Sequence, residues 1–238
     1  MHGFAGSPFD MKPMGEELAA RGYTTHGVAL AGHGPDWKNL ASTTWHDWYA
    51  SVERAFDELR AECDVVGVVG QSMGGLMALE LAQRRRGQVR ALSTLAAAIW
   101  LPSWQVRGIR KVGRAWPLNR LSIPRLGGSD IADKEMNRRL PTKGGMPIAA
   151  LNQLLDAMDA IVPRIGAIDV PALVVHSPLD HTIPFACADH LATHLGGPVE
   201  RLTLERSFHV ISVDVERVTL IERVGEFFDR RFAPPSPT

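Results

Sequence analysis

Residues 70–74 read Gly70-Gln71-Ser72-Met73-Gly74, a G-x-S-x-G run that follows the apolar stretch VVGVV and opens a stretch with helical periodicity. That setting is the one a nucleophilic serine needs. A tight strand-to-helix turn strains the serine backbone, holds Oγ above the sheet edge and points the first helical N–H groups toward it. The flanking glycines let strand and helix pass within contact distance. A serine hydroxyl is a weak nucleophile at neutral pH, so it requires a base, and the base requires an orienting acid. Of nine histidines, His209 in SFHV follows the strand-like RLTLE and so lies on a loop at the same sheet edge as Ser72. Asp180, in HSPLDHTIP, follows the strand-like ALVVH and emerges at that edge too. Asp214, five residues after His209, is the rival acid, though it is better placed to cap the last helix. His181 and His33 read as bystanders.

A reacting carbonyl also needs donors where its oxygen becomes negative. The N–H of Met73, directly after the nucleophile, supplies one. The opening MHGFAG supplies the other as the N–H of Phe4, with Gly3 allowing the backbone close to the substrate. No metal-ligand spacing and no cofactor motif accompanies these residues.

The elements that must position them alternate apolar runs with helix-period stretches, the pattern of a parallel sheet with crossover helices. Strands are expected at Thr24–Leu30, Val65–Val69, Val89–Leu95, Ala172–His176 and Arg201–Leu204, the last with Val199 ahead of it. Helices are expected at Met11–Arg21, stopped by Gly22, and after Thr44, a plausible N-cap with Asp47 in the first turn. Two more span Met73–Arg85 and about Val215 to Phe232, the last with Val218, Ile221, Val224, Phe227 and Phe228 facing inward. Between Trp100 and about Ile165 the rhythm changes to a segment with three tryptophans (Trp100, Trp104, Trp116), several prolines, a basic patch (Arg107, Arg110, Lys111, Arg114) and no convincing strand. It closes with an amphipathic helix from Pro147 to about Val162. We read it as a helical insertion, giving a core of residues 1–100 and 166–238 around an insertion at 101–165. The tail from about residue 233, APPSPT, is expected to be disordered.

Composition sets the outer bounds. The 238 residues suit one large α/β domain, and 45% hydrophobic against 22% charged residues is the balance of a protein with a substantial core. Lys plus Arg equals Asp plus Glu at 26 each, so net charge draws the chain toward neither nucleic acid nor an anionic membrane. Arg84-Arg85-Arg86 reads as a solvated helix C-terminus. Two distant cysteines, Cys63 and Cys187, are a poor basis for a disulfide scaffold. With no secretory signal pattern and no stretch of membrane-spanning length, a cytoplasmic protein is the default, a monomer or else a dimer.

Taken together, HGFAGSP, ARGYTTHGVALAGHG, TTWHDWYASV, GQSMGG, HSPLDHTIP and ERSFHVISVD, in that order and across nearly the whole chain, resemble the α/β-hydrolase superfamily. Within it the chain is similar to small bacterial carboxylesterases, a group that includes bacterial monoacylglycerol lipases. The resemblance implies an α/β-hydrolase fold, a mostly parallel sheet flanked by helices. It places Ser72, Asp180 and His209 at the nucleophile, acid and base positions and Phe4 and Met73 at the oxyanion positions. It makes the insertion a small helical cap over an acyl pocket, with Trp100 and Trp104 as substrate-binding residues or as plain packing. The implied reaction is hydrolysis of a small-molecule carboxylic ester, short- to medium-chain or a monoacylglycerol, with no metal or organic cofactor. An Asp at position 72 would point to a dehalogenase or epoxide hydrolase, so Ser argues against both. A C–C hydrolase or acyltransferase could keep the triad, and a non-catalytic ligand-binding member is the reading from another class. The chain departs from the family at its start. An apolar strand normally precedes the His-Gly loop, usually behind a hairpin, and Met1 stands in their place. The N-terminal strands are therefore expected to be missing, with a start placed too late preferred over a re-paired sheet or a strand donated by a partner.

Overall fold

The computed structural model of the chain describes residues 1–34, 37–113, 121–124, 128–140 and 145–232. Arg114, Trp116 and the tail from 233 lie outside the described residues, as do positions 35–36 of the AGHGPD loop. The strands are β1 (Val66–Gln71), β2 (Val89–Leu95), β3 (Ser122–Pro124), β4 (Gly145–Pro147), β5 (Ala172–His176) and β6 (Val199–Thr203). The helices are α1 (Lys12–Ala20), α2 (Trp45–Glu62), α3 (Met73–Arg84), α4 (Ser103–Gly113), α5 (Lys134–Arg139), α6 (Ile148–Ile161), α7 (Ala186–His194) and α8 (Arg217–Phe232).

The main sheet is parallel throughout, in the order β1-β2-β5-β6. Its central strands are buried because helices cover both faces: every residue of β5 is buried, and so is all of β2 except Arg90. One face packs on α2, α3 and α6 through Trp48, Phe56, Leu76, Leu79 and Leu154. The other packs on α1 and α8 through Met14, Leu18, Leu220, Val224 and Phe227. Thr44 caps α2 as expected, its Oγ1 accepting from the Asp47 N–H while Asp47 accepts from the Thr44 N–H. In α8 the inward face is Leu220, Ile221, Val224, Phe227 and Phe228, whereas Val218 is 63% exposed and does not belong to it. The helix begins at Arg217, so the stripe starts one turn later than the apolar letters imply.

Two further expectations change. Thr24–Leu30 forms no strand. The outer edge of β1, where such a strand's neighbour would lie, has Met1 as its backbone partner: the Met1 ammonium donates to the Val69 carbonyl at 2.8 Å and Met1 O accepts from the Gln71 N–H at 3.0 Å. A cavity of about 320 Å³ is lined by Thr24–Gly27 on one side and Val65–Gly67 and Val69 on the other, so residues 24–27 have no ladder to join. The segment between β2 and β5 does contain strands. β3 and β4 are three residues each and pair antiparallel, too short to show a period of two. They lead into α6, which has Pro147 as its N-cap and Leu151, Leu154, Leu155, Met158 and Ile161 buried. No described helix is long and apolar enough to cross a membrane.

A buried charge ties this segment to α3. Glu80 in α3 is fully enclosed, with Arg84 Nε 2.5 Å from one carboxylate oxygen and Arg164 Nη2 2.9 Å from the other. Removing both guanidinium groups leaves an unpaired carboxylate in the core. The double variant Arg84→Ala/Arg164→Ala is expected to lose about 3–5 kcal/mol in urea unfolding, and adding Glu80→Gln should recover much of it because the stranded charge is gone.

Candidate active site

The turn between β1 and α3 places the nucleophile candidate. Ser72 has φ 55° and ψ −117°, in the region that L-residues avoid. Its N–H donates to the Leu95 carbonyl at 2.8 Å and its carbonyl accepts from the Ala98 N–H at 3.1 Å, so strand β2 and the loop beyond it hold the strained residue from both sides. The flanking glycines are sterically required. A Cβ on Gly70 would collide with the Gly74 carbonyl, and one on Gly74 would meet the carbonyl oxygens of Met1 and His2 at 2.5 Å.

The three candidates separated by 137 positions in sequence meet in one line of hydrogen bonds. Ser72 Oγ lies 2.9 Å from His209 Nε2, and His209 Nδ1 lies 2.7 Å from Asp180 Oδ2. The carboxylate can only accept while ionised, so Nδ1 carries the proton and the Nε2 lone pair faces the serine hydroxyl. Burial alone would raise the Asp180 carboxyl. The charge of His209 and hydrogen bonds from His176, His209 and the Ile183 N–H outweigh that and hold it well below the usual carboxylate range. Its second oxygen, Oδ1, accepts from the Thr182 and Ile183 amides at 2.8 Å each. Asp214, the rival acid, is fully buried elsewhere. Its oxygens are taken by four backbone N–H groups, those of Ala132, Asp133, Phe208 and Val215. It therefore ties residues 132–133 to the loop that carries His209, and capping the approach to α8 is only part of that task.

The opening loop lies against the serine. A Cβ on Gly3 would stand 3.2 Å from the Ser72 Cβ, so the backbone leading into Phe4 passes in contact with the nucleophile. Met73 opens α3, where geometry denies its N–H an intrahelical acceptor. Met73 thus adjoins Ser72 in the chain, and the backbone at Gly3, just before Phe4, lies against it. His2, fully buried, fixes the loop: Nε2 accepts from the Leu30 N–H at 3.3 Å, which leaves the proton on Nδ1 for the Gly3 carbonyl at 2.9 Å. His33 packs edge-on against His2, Phe4 and Trp48 with ring centroids 5.1, 6.1 and 5.6 Å away. It is part of the support for the Phe4 loop rather than a bystander.

A cavity of about 700 Å³ opens over Ser72 and His209. Its wall is chiefly apolar, including Phe4, Leu101, Ile109, Met146, Leu151 and Leu154. Trp104 is on this wall, and Trp100 is not: it lines a separate cavity and packs edge-on against His190 at 5.2 Å. Among the described residues no three His, Cys, Asp or Glu side chains form a group that could hold a metal ion.

Sequence reasoning missed two supporting side chains. Gln71 donates from Nε2 to the His209 carbonyl at 2.9 Å, tying the base loop to the nucleophile turn. His176, at the end of β5, puts Nε2 3.0 Å from Asp180 Oδ2 and 3.3 Å from the Ile183 carbonyl. Both neighbours are acceptors, so Nε2 carries a proton and donates to the carboxylate that also receives His209. Its place four residues before Asp180, at the end of an otherwise apolar strand, was the available signal. His176→Phe, with Phe185 already packed on that ring at 5.7 Å, is expected to lower kcat about tenfold with KM little changed. His176→Gln, which keeps an N–H donor, should restore most of it.

The buried histidines also make stability pH-dependent. Burial, with the neighbouring charge of His33, lowers His2 to about 3, and burial lowers His33 to about 4. In the unfolded chain each takes up its proton near pH 6.5, so their contribution is complete above that pH and drains away as the pH falls toward 4. Urea unfolding should lose about 1.4 kcal/mol per pH unit for His2 in this window, and His33→Gln should make the total slope shallower.

Comparison with known proteins identifies the family of the chain. Residues 1–216 match the model of the family described as serine aminopeptidase, S33. The chain is 32% identical over 229 residues to the thermostable monoacylglycerol lipase of Bacillus sp. (strain H-257), covering 96% of this chain and 88% of that protein. It is 26% identical over 234 residues to the carboxylesterase of Bacillus subtilis (strain 168), covering 97% and 91%. A solved structure from work on LipS and LipT, two metagenome-derived lipolytic enzymes, superposes with a TM-score of 0.89 at 27% identity over 96% of this chain and 91% of that one. The parallel sheet, the strained serine turn and these matches together make the chain a member of the α/β-hydrolase family described as serine aminopeptidase, S33.

Proposed function

We propose that this carboxylic ester hydrolase acts through Ser72, His209 and Asp180 on short- to medium-chain esters or monoacylglycerols. The observation that carries the reading is the unbroken line Ser72 Oγ–His209 Nε2–Nδ1–Asp180 Oδ2, with contacts of 2.9 and 2.7 Å, at the floor of an apolar cavity. Oγ attacks the ester carbonyl as His209 Nε2 takes its proton. The carbonyl oxygen becomes negative between the N–H groups of Phe4 and Met73. Collapse of the tetrahedral intermediate expels the alcohol, which leaves with the proton from Nε2. Water then adds to the acyl-enzyme by the same roles and releases the carboxylic acid. Asp180 keeps Nδ1 protonated and stabilises the imidazolium that forms.

Residues 101–165 act as the cap, with the core at 1–100 and 166–238. A cavity of about 700 Å³ falls in the range that encloses a small-molecule ligand. Its two acidic wall residues are hydrogen-bonded, Asp10 by the Ser7 N–H at 3.1 Å and Asp130 by His181 and Thr182 of the loop after β5. That leaves a wall suited to an uncharged acyl chain rather than to the free ammonium an aminopeptidase substrate presents.

The test is fluorophosphonate labelling with the adduct located by peptide mass spectrometry, beside p-nitrophenyl butyrate turnover. The wild type is expected to carry one adduct at Ser72. Ser72→Ala should carry none and lose turnover by about 10⁴-fold or more, with Asp180→Asn losing a comparable factor. A folded wild type that neither labels nor turns over would leave the non-catalytic, ligand-binding reading.

A further inference from the structure

The acid and base stand on separate loops, after β5 and β6, and the triad exists only while those loops keep their spacing. Their roots are joined directly. The Leu204 N–H donates to the His176 carbonyl at 3.0 Å, and Ser177 Oγ donates to the Ser207 carbonyl. Their tips, where Asp180 and His209 sit, are also joined through a residue from neither loop. Asp130 belongs to the segment between β2 and β5. Its carboxylate oxygen Oδ2 accepts from the His181 N–H at 3.0 Å and from Thr182 Oγ1 at 3.1 Å, while Oδ1 lies 2.9 Å from His181 Nδ1. Its main-chain carbonyl accepts from the N–H groups of both His209 and Val210 at 3.1 Å each. The side chain thus holds the acid loop and the backbone of the same residue holds the base.

The following residues lock that backbone in place. Ala132 and Asp133 donate to the Asp214 carboxylate, which also receives the Phe208 N–H from the base loop. Asp133 pairs with Arg217 at 3.2 Å. Ile131 and Leu140 bury themselves with Val213. On its other flank the base loop is held to the nucleophile turn by Gln71.

We propose that Asp130 is a positioning residue for the reaction: it braces the tips of the acid and base loops against each other and so makes triad alignment depend on the seating of residues 130–133. The proposal rests on the triad reading given above. It gives His181, a surface residue with 65% of its side chain exposed, a share in the same brace.

The decisive variant is Asp130→Ala in the full chain, read by hydrogen exchange of peptides spanning 178–184 and 207–212, by the rate of fluorophosphonate labelling and by p-nitrophenyl acetate kinetics. Loss of the side chain removes contacts to the acid loop only. The brace predicts that exchange nonetheless rises in both peptides, that labelling and kcat fall about tenfold, and that KM stays within about twofold. Asp130→Asn, which keeps an acceptor for the His181 N–H and Thr182 Oγ1, should recover most of the rate. Faster exchange confined to 178–184, with labelling and kcat unchanged, would overturn the proposal, as would a rise in KM alone for a longer ester. If the wild type does not label at all, the triad reading fails, and the exchange comparison still decides whether Asp130 couples the loops. Should Asp130→Ala not fold, His181→Ala removes a partner from the solvent side and is expected to give the same two-peptide response at smaller amplitude. Arg110→Ala, which breaks the α4–α6 ion pairs to Asp156 and Asp159, should leave both peptides unchanged.

Discussion

Ser72 carries φ 55° and ψ −117°, a conformation of order 1–3 kcal/mol above the ordinary regions, and it persists because its surroundings leave no alternative. Relaxing it would break the bonds to Leu95 and Ala98 and push the start of α3 into the opening loop, where Gly74 already touches the backbone of Met1 and His2. The strain is offset by the burial of the start of α3, with Met73, Leu76 and Met77 showing no exposed surface. The result is a hydroxyl fixed relative to two loops that come from the far end of the chain. Ala5, at φ 50°, shows the same device in the opening loop.

Burial would neutralise every ionisable group near this turn, and the site depends on which groups are allowed to follow that tendency. His2 and His33 follow it and serve as neutral hydrogen-bonding and packing units. Asp180 does not, because two imidazoles and two amides surround its carboxylate. Asp214, equally buried, is surrounded by four backbone amides and has no imidazole within its hydrogen-bonding set. Two carboxylates of the same type, 34 positions apart, therefore do different work. One faces the imidazole of His209, the base of the proposed mechanism, and the other holds only backbone.

The parts of this architecture legible in the sequence are those governed by local pattern. VVGVV and ALVVH are strands because they are β-branched and unbroken, and the glycines around Ser72 are legible because only a tight turn requires them at that spacing. Thr24–Leu30 has the same local look, yet a strand exists only with a partner, and partner availability is a property of the whole sheet. Val218 failed for a related reason. Its letter fits an apolar stripe, but the helix begins at Arg217 and turns that position outward. His176 and Gln71 lie beside residues already singled out, but their contacts depend on which way one side chain points. Asp130 was illegible because the loops it touches lie about 50 and 80 positions away, and no periodicity records a long-range hydrogen bond.

Chemistry and selectivity are unevenly separable in such a layout. Part of the cavity wall comes from α4, β4 and α6, elements that carry none of Ser72, Asp180 and His209. The stretch from 128 to 133 is different. Gly128, Ser129 and Asp130 are on the wall, yet Asp130 also holds the loops of the acid and the base. A change there that reshapes the wall also acts on the loops of Asp180 and His209, because one backbone segment supplies both surfaces. If the chain works by the proposed mechanism, altered acyl preference with intact turnover should therefore come through the helical wall, because residues 128–130 also carry contacts to the loops of Asp180 and His209.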